Sequence, residues 1–74
     1  MPRLRILSAR EVCEILQEHG FAKSRQAGSH IVMRRQMPET TRIVIVPNHP
    51  EIRRGTLKSI IEQSGLPRDL FMTA

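Results

Sequence analysis

The chain has 74 residues, with 12 Lys+Arg against 7 Asp+Glu, two phenylalanines and no tryptophan or tyrosine. A chain this short buries only about 60% of its unfolded surface, so the expectation is one small domain over residues 1–74 with a thin aliphatic core. Scarce aromatics exclude a base-stacking platform, and the lone Cys13 excludes an intramolecular disulfide or a cysteine-rich zinc site.

The formal charge of +5 calls for an anionic partner: nucleic acid, an acidic protein or a membrane surface. Met1 to Ser8 hold two arginines and no long apolar run, which does not read as a signal peptide or an anchor. No segment approaches the roughly 18 apolar residues of a bilayer span. A cytoplasmic protein is expected.

Ser8 with Glu11 three residues later forms a capping box, and Val12, Ile15, Leu16 and His19 follow at helical spacing. The pattern predicts a helix over about 9–19, closed by Gly20 in the left-handed region. Residues 21–26 read as a strand with Lys23 and Arg25 on one face, and Ala27-Gly28 as a turn. A second strand runs from Ser29 to Arg35, with Ile31 and Met33 on one side and His30, Val32 and Arg34 on the other. Met37 to Thr40 is a turn, and the β-branched run from Arg42 to Val46 is a strand buried on at least one face and stopped by Pro47.

After a loop, Gly55 or Thr56 is expected to cap a second helix with Leu57, Ile60, Ile61 and Ser64 on its apolar face and Gly65 at its end. Residues from Pro67 onward form a short turn that brings Leu70 and Phe71 to the core edge. The order is helix, three strands, helix. This predicts a two-layer α+β domain of α-β-β-β-α order: a three-stranded antiparallel sheet with both helices on one face. Its other face stays open and carries His30 and Arg34.

Gly28-Ser29-His30 is the stretch with most chemical content, since imidazole is the side chain that moves protons near neutrality. A histidine at the start of a strand also serves as a plain surface residue, and Ser29 serves equally as a turn residue. Arg53, Arg54 and Lys58 gather at the start of the second helix, either as a solvated charged face or as a phosphate grip. The three histidines lack local metal-ligand spacing, so neither a metal nor another cofactor is expected.

From about Ser8 to Phe71 the chain resembles the HicA family of bacterial toxins. The resemblance rests on a helix ending in Gly20-Phe21, then Gly28-Ser29-His30, Val46-Pro47 with His49, Gly55-Thr56-Leu57, and Gly65-Leu66. Ile31, Val32 and Met33 follow the histidine where many relatives carry a polar residue and an aromatic. The resemblance implies a double-stranded-RNA-binding-domain-like fold, a metal-independent messenger-RNA endoribonuclease activity with His30 catalytic, and a HicB-type antitoxin as partner. On that reading Arg34 is the nearest candidate to stabilise a phosphate at His30, and Lys23, Arg25, Ser29, Arg53, Arg54 and Lys58 are further candidate RNA contacts. Two rivals share the fold: a non-catalytic RNA-binding module, and a basic adaptor that docks an acidic protein.

Overall fold

The computed structural model describes residues 2–73. Helix α1 spans Ala9–Glu18, strands β1, β2 and β3 span Ala22–Ala27, His30–Gln36 and Thr41–Pro47, and helix α2 spans Arg54–Ser64. A 3-10 turn over Arg68–Phe71 follows. The sheet is antiparallel in the order β1-β2-β3, so the α+β arrangement expected from the sequence is the one observed.

α1 begins where the capping box places it. The Glu11 amide donates to the Ser8 hydroxyl at 3.1 Å, and the Ser8 amide donates to the Glu11 carboxylate at 2.9 Å. Two first-turn donors are thereby satisfied, and the bond from the Ser8 amide, helped by the Ser8 side chain, holds the Glu11 carboxyl below its ordinary range. His19, rather than Gly20, is the C-cap residue. Its ring lies 2.9 Å from the Ile15 carbonyl one turn back, where it meets the negative end of the helix.

α2 starts earlier than the sequence suggests. Arg53 is its N-cap and Arg54 its first residue, with no side chain bonded across the first turn. This start leaves no Ser, Thr or Asp signature in the sequence, because no side chain makes the cap. At the other end Gly65 takes the left-handed conformation at φ 71°. A Cβ there would stand 2.8 Å from Cζ of Arg42, whose guanidinium donates to the Gln63 carbonyl at 3.2 Å. A cation thus sits on the exposed carbonyls of a helix C-terminus.

The core lies between the helices and one sheet face. Val12 and Leu16 of α1, Leu57, Ile60 and Ile61 of α2, and Met33, Val44 and Val46 of the sheet are buried together with Phe71. Ile31 packs on the same side, as the alternation predicts. Ser64 is buried as well, its hydroxyl donating to the Ile61 carbonyl at 2.7 Å and accepting from the Leu66 amide at 3.1 Å. The segment before α1 also belongs to the core. Leu4 and Leu7 are buried, and Leu4 bridges Met72 in an antiparallel contact that ties the two ends of the chain together.

Candidate functional site: the open face of the sheet

β2 pairs with β3 in unbroken register from His30↔Pro47 to Gln36↔Thr41. Side chains alternate between faces, so burial of Met33, Val44 and Val46 toward the helices sends His30, Val32, Arg34, Ile43 and Ile45 to the open side. The sequence expectation for His30 and Arg34 therefore holds.

The expectation for β1 does not. Lys23 pairs with Met33 and Arg25 with Val32, so one extra residue, Ser24, is inserted between them as a bulge. Lys23 and Arg25 consequently lie on opposite faces of the sheet. Lys23 turns to the helix side, where its ammonium donates to the Gln26 carboxamide at 3.0 Å. There, with Arg10, Cys13, Ile31, Met33 and Asn48, it lines a groove of about 310 Å³ beneath α1. Burial pushes the Cys13 thiol up in that groove, and Lys23 offsets part of the effect.

Arg25 takes the open face and is the cation best placed toward His30. Ala27 is the direct cross-strand partner of His30, and Arg25, paired with Val32, stands one pair farther on the same face. Diagonal neighbours of this kind are about 7–8 Å apart at their bases, a span that an arginine covers. Arg34 lies four residues along β2 from His30, about 13 Å at strand rise. It faces Ile43 and Ala22 instead, so a phosphate held at His30 lies beyond its direct reach.

The turn before His30 is held in place from behind. Gly28 adopts φ 59°, which a residue with a side chain rarely takes, and the Ser29 carbonyl accepts the Asn48 amide at 2.6 Å. The Asn48 loop is itself tied to α1, because the Ala9 amide donates to the His49 carbonyl at 3.0 Å. Ser29 therefore has a clear turn role through its backbone. His30 is exposed, and its small partner Ala27 leaves the ring uncovered.

The basic residues of α2 form no single cluster with His30. Arg54 lines a groove of about 250 Å³ with Leu4, Arg5 and Ile52, whereas Lys58 lines another of about 440 Å³ with Glu62, Leu66 and Arg68. His30 lines neither groove. Arg53 remains at the helix N-terminus, whose first turn carries no acidic residue.

The sheet's own electrostatics are one-sided. Its three strands carry Lys23, Arg25, Arg34, Arg35 and Arg42 and no carboxylate. Among the described residues no group of three His, Cys, Asp or Glu side chains is placed to hold a metal ion, and no helix is long and apolar enough to cross a membrane.

Compared with curated proteins, the chain finds no match. The model of one family, the HicA toxin of bacterial toxin-antitoxin systems, matches residues 9–66 and so covers both helices and all three strands. The chain belongs to the HicA toxin family: it is the toxin of a toxin–antitoxin pair, which implies a cognate antitoxin.

Proposed function

We propose that this toxin is a messenger-RNA endoribonuclease in which His30 moves protons while the RNA's own 2′-hydroxyl attacks the adjacent phosphorus. The observation that carries this reading is an uncovered imidazole at the corner of a carboxylate-free basic sheet, with Arg25 diagonal to it. RNA of this kind needs no external nucleophile. The 2′-oxygen forms a bond to phosphorus as the 5′-oxygen bond breaks, leaving a 2′,3′-cyclic phosphate and a 5′-hydroxyl. A base takes the 2′-proton, an acid supplies one to the 5′-oxygen, and a cation stabilises the charge between.

His30 fills a proton-transfer role and Arg25 is the cation nearest the developing charge. Water supplies or accepts the complementary proton. One positioned acid/base contributes about 10²–10⁴-fold, so a modest nuclease results. Lys23, Arg34, Arg53, Arg54 and Lys58 are assigned to the path of the RNA backbone away from the cut, as charge rather than as chemistry, and Ser29, next to His30, as a neutral hydroxyl contact to it. A HicB-type antitoxin is the proposed partner, and it silences the toxin by covering the face that bears His30. The whole of residues 1–74 acts as one domain in this scheme, in the cytoplasm and without a metal.

Expression of the wild type beside His30→Ala tests the reading. Growth arrest with messenger-RNA loss is expected from the first and neither effect from a folded second. An RNA-binding module that does not cleave would give retained, salt-dependent RNA binding and no difference between the two in transcript levels.

A further inference from the structure

The two edges of the sheet are built differently. All six residues of β1 are exposed, Lys23, Arg25 and Gln26 among them, and the bulge at Ser24 twists its line. Charge and a bulge are the usual means of blunting an edge against stray pairing. β3 has neither. It pairs with β2 over seven consecutive positions without a bulge, and between Arg42 and Pro47 it reads Ile-Val-Ile-Val. Among the described residues, Thr41 is the first and Pro47 the last of this strand, and residues 41–46 make no backbone bond on the side away from β2.

Beside that free edge, Ile43 is 52% exposed and Ile45 48% exposed on the open face, next to half-buried Val32. Large apolar side chains grouped on a surface mark a protein interface more readily than a polyanion site. RNA gives no reason for them, because no aromatic accompanies them to stack a base. The rest of the face is cationic, with Arg25 and Arg34.

Resting on the toxin–antitoxin reading, we propose that β3 and its two isoleucines receive an extended strand from the acidic antitoxin. The added strand pairs with the free backbone of β3 and sets alternate apolar side chains on Ile43 and Ile45. The antitoxin's carboxylates then reach Arg25 and Arg34 across the face. A second copy of this chain meets the same edge less well, since its sheet carries cations and no carboxylate to offer.

The test uses the full-length toxin and the protein encoded beside it. In the complex, amide hydrogen exchange over residues 41–47 is expected to slow, with β1 little changed. The double variant Ile43→Lys, Ile45→Lys is expected to weaken the complex about 100-fold, as losing two buried aliphatic contacts implies. Its melting temperature and RNA cleavage without antitoxin should stay near those of the wild type. Unchanged exchange over β3, wild-type neutralisation of the double variant, or a β3-mediated homodimer that leaves antitoxin binding unaffected would each overturn the proposal. Should the wild type fail to cleave RNA at all, the nuclease reading falls, while the exchange measurement still decides where the antitoxin sits.

Discussion

Arg25 stands diagonally across the β1–β2 ladder from His30 on the open face of the sheet, whereas Lys23, two residues earlier, lies on the opposite face. A single inserted residue, Ser24, makes that difference. The bulge thus decides which cation of β1 can share a phosphate with the imidazole.

Substitution of Arg25 should consequently hurt cleavage more than substitution of its neighbours. A charge-assisted contact to the reacting phosphate is worth about 1.5–3 kcal/mol, so Arg25→Ala should lower kcat/KM by about tenfold or more. Arg34→Ala and Lys23→Ala should each fall within about threefold of wild type at moderate salt, a charge effect that screening reduces. Initial-rate cleavage of one defined RNA measures all three. Equal losses at the three positions would show that only the summed charge matters.

The first turn of α1 supplies a stability prediction. Ser8→Ala removes the acceptor for the Glu11 amide and should cost about 1 kcal/mol in urea unfolding at pH 7. Because the Ser8 bonds depress the Glu11 carboxyl in the folded state, their contribution is complete above its unfolded value. It disappears as pH falls through the lowered folded value. The stability gap between wild type and Glu11→Ala should therefore narrow on acidification from pH 7 to about pH 3.

Gly65 gives a second. The left-handed backbone and the Arg42 guanidinium both oppose a side chain there, so Gly65→Ala should lose about 1–2 kcal/mol. Arg42→Ala alone should cost less than about 1 kcal/mol, the usual worth of a cation at an exposed helix end. Combining the two should give less than the sum, since the alanine methyl no longer displaces a guanidinium.

These sites also show what could be read from sequence. The capping box placed α1 to within a residue, because Ser8 and Glu11 satisfy each other locally and need no tertiary partner. The faces of β2 followed from alternation, since Met33 has a core to enter. β1 offered no such anchor: with every residue exposed, its polarity is silent on register, and the bulge at Ser24 left no trace. The buried Leu4 and Leu7 went unread because their partners are distant in sequence: Leu4 bridges Met72, and the Leu7 carbonyl accepts the Ile52 amide. For the site, the histidine and its face were legible; its nearest cation was not, because that depended on the bulge.

Proton transfer by the His30 ring is the step on which the proposed RNA cleavage depends. Its most direct measurement is the cleavage rate of purified wild type and His30→Ala on the same messenger RNA, in chelator, with melting temperatures matched. A loss of about 10²–10⁴-fold is expected in the variant, and a 2′,3′-cyclic phosphate end from the wild type. A folded variant that cuts at the wild-type rate would contradict it.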